Sequence, residues 1–146
     1  MASHKVFDAI KVIAWNANSI CAKKEEFAEY LIRQCVDVAL VSETFLKENK
    51  RFKIQHYSTY RKDRVTAAGG TAIFVKRGIL HHEILLPAFS SIEANAVILN
   101  TKQGQIRIIS VYKAPDRPLD IADLDLIFSD PIPTIMAGDL NCKHPY

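Results

Sequence analysis

The stretch PTIMAGDLNCKHPY, Pro133 to Tyr146, decides how this chain is read. From Ile132 to Met136 it is short and apolar, the pattern of a buried strand. It then enters Gly138-Asp139-Leu140-Asn141, a turn carrying a carboxylate and an amide. In open α/β sheets, polar groups at the carboxyl ends of strands line ligand sites. Taken alone, Asp-Leu-Asn is an ordinary turn sequence. The reading therefore depends on whether other strands end the same way.

They do. IKVIAW (Ile10 to Trp15) is a buried-strand pattern that ends at Asn16. DVALVSE is a second, ending at Ser42-Glu43-Thr44, and RIISVY is a third, ending at Tyr112. Between the first two, KKEEFAEYLIRQC places Phe27, Tyr30, Leu31 and Cys35 on one helical face, with Lys and Glu opposite. GGTAIFVK opens a strand on two glycines, which suit a tight turn. HEILLP, EANAVILN and QIRIISVY read as further strands, the last two joined by a hairpin turn at Thr101 to Gly104. PLDIADLDLIF is a short helix starting at a proline. The β-α-β opening predicts a parallel pair and the middle predicts antiparallel pairing, so a mixed α/β sandwich fits both.

A length of 146 residues gives one domain, 1–146, large enough to bury a core. Hydrophobic residues make up 49% and charged residues 24%, an ordinary soluble composition. No apolar run approaches the roughly 20 residues of a membrane span, and the start lacks the apolar block of a secretory signal. Cys21, Cys35 and Cys142 are too few and too scattered for a disulfide framework or a zinc site. A reducing compartment, nucleus or cytoplasm, is expected.

The net charge of +3 is unevenly placed. From Lys47 to Arg64 seven cations face only Glu48 and Asp63, so this segment carries +5. Tyr57 and Tyr60 are interleaved. The pattern suits a phosphate backbone, and a solvated basic loop would look the same.

Taken in order, WNANSI, VSETFL, YRKDR, GGTAIFVK, VYKAP and GDLNCKHPY resemble the endonuclease/exonuclease/phosphatase superfamily. The likeness is most specific to the apurinic-type endonuclease domain of jockey-like non-LTR retrotransposons. It implies a four-layer α/β sandwich of two mixed sheets flanked by helices. It also implies Mg²⁺ or Mn²⁺ held by Glu43 with Asn16 beside it. Tyr112 would hydrogen-bond the phosphoryl oxygens, Asp139 would serve the attacking water or leaving group, and Asn141 would orient the phosphate. Tyr60, Arg61 and Arg64 would contact DNA. The implied function is nicking of nuclear target DNA to prime reverse transcription, by a parent that carries a reverse transcriptase.

In that family a further Asp and a Ser-Asp-His motif follow the Gly-Asp-x-Asn block, so the fold is expected to be incomplete here. The chain alone is expected to be inactive, and to dimerise or exchange strands. His144 reads as part of the CKHPY loop rather than a relocated base. His81 and His82, adjacent on a strand, point to opposite faces and make a poor joint metal site. Two alternatives stand beside the nuclease: a non-catalytic nucleic-acid-binding or assembly module, and a phosphatase of the same superfamily.

Overall fold

The computed structural model describes residues 9–65 and 68–143; His144 lies outside them. Strand β1 (Val12–Asn16) leads through a 3₁₀ turn (Cys21–Lys23) into helix α1 (Lys24–Arg33) and on to β2 (Val38–Ser42). The two strands pair parallel, with Asn16 opposite Ser42. A parallel pair needs such a crossover. Strands β3 (Tyr57–Lys62) and β4 (Thr71–Lys76) complete an antiparallel flank, giving the order β1-β2-β4-β3. The second sheet repeats the plan in reverse. Strands β5 (His81–Ile84), β6 (Glu93–Thr101) and β7 (Gly104–Tyr112) form an antiparallel meander, and helix α2 (Ile121–Ile127) crosses to β8 (Thr134–Asp139), parallel to β7.

Strand alternation divides the core into three. Facing inward between the sheets are Val38 and Leu40 of β2, Ile73 and Val75 of β4, Val97 and Leu99 of β6, and Ile108 of β7. The alternate residues Ala39, Val41, Ala72 and Phe74 pack outward against Phe27 and Leu31 of α1. Ala94, Ala96, Ile109 and Val111 do the same against Ile127 of α2. The result is helix, sheet, sheet, helix: the expected four-layer sandwich of two mixed sheets.

Several elements depart from the sequence reading. On α1 only Phe27 and Leu31 are buried; Tyr30 is 41% exposed, and Cys35 lies beyond the helix with φ +51°. Helix α2 starts at Ile121, not at Pro118, because the Asp120 side chain caps it by accepting from Ala122 N at 3.0 Å. The Tyr-rich stretch is a full edge strand, β3, whose polar residues hid its period. Of the strands expected to be buried, β2 is, but β1 and β8 are edges with mostly half-exposed residues.

Two buried charges hold the second sheet. Arg107 donates to Asp130 Oδ2 at 2.6 Å and to Thr134 Oγ1 at 3.0 Å, and also bonds the Ile127 carbonyl. Asp123 reaches back to the loop before β6. Burial alone would raise its pKa, but hydrogen bonds from Ser91 and Ser90 outweigh that and hold it below the usual carboxylate range. This bond set fixes the loop that delivers Glu93.

Candidate active site

The face between the sheets turns polar at one end. Along β2 the inward residues run Val38, Leu40, Ser42, and along β4 they run Val75, Ile73, Thr71. On β6 they run Leu99, Val97, Asn95, Glu93, and on β7 Ile106, Ile108, Ser110, Tyr112. On β8 Ala137 is followed by Asp139. The register aligns these ends into two rows: Asn16, Ser42, Thr71 across the first sheet, and Glu93, Tyr112, Asp139 across the second. Cross-sheet bonds behind the mouth tie the rows together. Ser110 Oγ donates to the Val41 carbonyl at 3.2 Å and Asn95 Nδ2 to the Tyr60 carbonyl at 3.0 Å.

At the mouth, Asn16 Nδ2 donates to Asp139 Oδ2 at 2.9 Å. The other oxygen, Oδ1, accepts from Asn141 N at 2.9 Å, and Asn141 Nδ2 donates to the Lys113 carbonyl at 2.8 Å. Lys113 is only 3% exposed, its ammonium donating to the carbonyls of Ala114 (2.8 Å) and Arg117 (2.6 Å). The Asp139–Asn141 turn is therefore bound on both sides.

Glu43 follows β2 with φ +51°, a left-handed conformation that costs a non-glycine residue about 1–2 kcal/mol. Neighbours enforce it. Ser19 N donates to the Glu43 carbonyl at 2.9 Å and Ile20 N to the Thr44 carbonyl at 3.1 Å. On the other side Phe45 N donates to the Gly69 carbonyl at 3.0 Å, and a Cβ on Gly70 would sit 2.7 Å from Thr44 Oγ1. The twin glycines thus permit the close approach that seats Glu43.

The Tyr112 hydroxyl lies within reach of the Glu43 charge. Burial, then the charge and hydrogen bond of Glu43, push the phenol up to about 12; Arg64 opposes this and Glu93 adds to it. Arg64 is ion-paired with Glu93, whose Oε2 also accepts from Gly70 N at 2.9 Å. Glu93, Arg64, Tyr112 and Glu43 thus form one electrostatic chain.

The structure brings Asn16, Glu43, Tyr112, Asp139 and Asn141 together, with Arg64 alongside. It sets Arg61 and Tyr60 apart from them. Arg61 pairs with Asp63 and donates to the carbonyls of Lys47 and Lys50, each at 2.7 Å. His81 Nδ1 donates to the Ile79 carbonyl, so its Nε2 accepts from the Tyr60 hydroxyl at 2.9 Å, between the sheets. His82 is exposed on the opposite face, as the alternation requires.

Mg²⁺ wants hard oxygen ligands, one or two of them carboxylates, and retains several waters. The Glu43 carboxylate and Asn16 Oδ1, beside the Asp139 carboxylate, are such a set. Asn16 Oδ1 also accepts from Asn18 N at 3.1 Å, which fixes the amide's orientation. No group of three or more His, Cys, Asp or Glu among the described residues forms a richer metal site.

No family model matches the chain. Solved structures with the same architecture include the endonuclease domain of TRAS1, a telomere-specific non-LTR retrotransposon, with a TM-score of 0.71 and 20% identity over 92% of this chain and 61% of that one. An endonuclease/exonuclease/phosphatase family protein from Leptotrichia buccalis has a TM-score of 0.68 and 14% identity, over 92% of this chain and 69% of that one. The chain has the endonuclease/exonuclease/phosphatase fold. Its homologues are RNA-directed DNA polymerases of jockey-like mobile elements. That of mobile element jockey from Drosophila melanogaster is 25% identical over 140 residues, which cover 94% of this chain. The chain spans 15% of that relative's length.

Within this endonuclease/exonuclease/phosphatase fold, sequence reasoning missed Glu93 and Lys113. Glu93 opens its strand right after a loop, and only the β6–β7 register sets it opposite Tyr112. Lys113 directly follows Tyr112. Its partners are backbone carbonyls, which carry no sequence signature.

Proposed function

We propose that this chain carries the DNA-nicking site of a non-LTR retrotransposon protein, a phosphodiesterase dependent on Mg²⁺ or Mn²⁺. The observation that carries the reading is the meeting of Asn16 and Asp139, from opposite sheets, beside the Glu43–Tyr112 pair. Glu43 and Asn16 would hold the metal, which when bound neutralises charge developing on the phosphate. Asp139, oriented by Asn16 and by Asn141 N, accepts a proton from the attacking water. Water oxygen bonds to phosphorus, the P–O3′ bond breaks, the departing O3′ takes up a proton from solvent, and a 5′-phosphate and a 3′-hydroxyl remain. That 3′-hydroxyl is the primer a reverse transcriptase needs. Tyr112 remains a protonated donor at neutral pH, and its hydroxyl donates a hydrogen bond to a phosphoryl oxygen as charge builds there. Arg64, anchored by Glu93, presents positive charge to the neighbouring phosphate.

The test is nicking of supercoiled plasmid by the reverse-transcriptase-bearing parent, with and without Glu43→Gln and Asp139→Ala. Both variants should lose nicking while keeping their reverse transcriptase activity. Full nicking by either overturns the reading. A second reading, a nucleic-acid-binding module without catalysis, is favoured by one observation. The described histidines His56, His81 and His82 all lie at the opposite end of the strands from Asp139. On that ground the chain alone should nick little or not at all.

A further inference from the structure

A second charged feature lies on the outer face of the first sheet. Beside the edge strand β3 is an open cleft of about 430 Å³, lined among others by Lys50, Arg51, Lys53 and Arg77. Glu48 is the acid in its lining. None of these four cations has an ion pair among the described residues. Gathering like charges without partners is unfavourable, and an anion relieves it.

The cluster is also held in place. Phe52 and Ile54 are buried in the core while Arg51 and Lys53, which alternate with them, are exposed. Arg61 fastens the same loop by donating to the carbonyls of Lys47 and Lys50, and Asp63 fixes Arg61 in turn. A loop clamped at both its backbone and its apolar side chains presents its cations with little flexibility to lose on binding.

We infer that this cleft, formed by Lys50, Arg51, Lys53 and Arg77, binds the phosphodiester backbone of duplex DNA flanking the nicked position. The inference rests on the nuclease reading. In the strand order, β3 lies three spacings from β1, roughly 14 Å at about 4.8 Å each. That is about four base pairs of helix rise. The cleft runs along β3 from Arg61, next to the Lys62–Thr71 pair that continues the mouth row, to Tyr57 and Arg77 at the opposite end of the strand, so a duplex with its scissile phosphate between Asn16 and Asp139 reaches the cleft first at its Arg61 end. Contacts of this kind position the duplex without reading its bases.

The experiment is fluorescence anisotropy of a labelled DNA duplex titrated with the full chain across a salt series. Arg51→Gln with Lys53→Gln should weaken binding by about tenfold or more at low salt and reduce the slope of log K against log salt by about 2. Lys11→Gln with Arg33→Gln, an equal loss of charge away from the cleft, should leave the slope near wild type. An unchanged slope in the cleft variant overturns the inference, as does an equal drop in the control or an absence of wild-type binding. Tighter binding of duplex RNA than of DNA overturns DNA as the occupant. Plasmid nicking is read separately in the parent protein. If the cleft variant changes the slope while Glu43→Gln still nicks, the cleft stands and the nuclease assignment falls.

Discussion

Asn16 and Asp139 are 123 positions apart in sequence, and a 2.9 Å hydrogen bond joins their side chains across the mouth between the two sheets. Each stands at the carboxyl end of an edge strand. The bond therefore couples the carboxyl ends of the two parallel pairs, and together with the Asn141 amide it orients both oxygens of Asp139. Asn16→Ala should lower nicking by the parent about 10- to 100-fold, the usual effect of removing a partner that orients a reacting group. Melting temperature should change little, because Asn16 is only partly buried. Wild-type nicking by the variant would show that the bond has no part in catalysis.

Tyr112 offers a direct electrostatic test. Its phenol is pushed up to about 12 by burial and by Glu43. Tyr57 is raised too, by burial first and then by Asp37 and Cys35, and its hydroxyl donates to the Val36 carbonyl at 2.5 Å. Ultraviolet titration of the five tyrosines should show two that ionise late. Glu43→Gln should bring one of them earlier and leave the other in place. The sign for stability follows. A folded-state pKa above the unfolded value of about 10 gives stability that is present below pH 10 and lost as pH rises towards 12. Tyr112→Phe should lower nicking about 10²- to 10³-fold if the hydroxyl stabilises the charged phosphate.

The fold was legible because its pattern is redundant. Val38, Leu40, Ser42 and Ile106, Ile108, Ser110, Tyr112 each show an apolar run that turns polar at the strand end, and the opening β-α-β unit gives the first parallel pair. The meeting of Asn16, Glu43, Tyr112 and Asp139 was legible as an ordered set of motifs. The internal partners of Arg61 and Tyr60 were not. Arg61 spends its guanidinium on Asp63 and two loop carbonyls, and Tyr60 on His81, a residue of the other sheet. Backbone acceptors and cross-sheet neighbours leave no trace in local sequence. The same blindness hid Glu93, whose partner Arg64 is far away in the chain and whose second partner is the Gly70 amide. Edge position was equally silent: an apolar run such as PTIMAG looks the same whether one neighbour or two lie beside it.

Gly138 should be nearly irreplaceable. Its φ is +156°, and a Cβ built there would lie 1.7 Å from the Val111 carbonyl oxygen of the paired strand. Backbone cannot yield as a flexible side chain does. Gly138→Ala should cost about 1–3 kcal/mol, with β8 pushed away from β7. Asp139 is the next residue, so nicking should fall further than stability accounts for. A denaturant melt paired with a nicking assay separates the two, and an alanine variant with wild-type stability would contradict the close approach.

The edge of β8 should make the chain self-associate. Among the described residues strand β8 pairs only with β7, and its other side presents unpaired backbone groups. Ile135 is 46% exposed on it, and no charge occurs in the strand before Asp139. Natural edges are usually guarded by Lys, Pro, a bulge or a cover, because an open edge is a template for another strand. Proline flanks this one at Pro133, but the strand itself carries none. Light scattering should therefore show mass rising with concentration, and Ile135→Lys should return the chain towards a monomer by placing a charge where a partner strand would lie. The substitution removes little buried surface, so its melting temperature should stay close to wild type. A wild-type chain that remains monomeric at its highest soluble concentration, and unfolds cooperatively there, would refute this and show that the β8 edge is protected by its own twist or by residues near it.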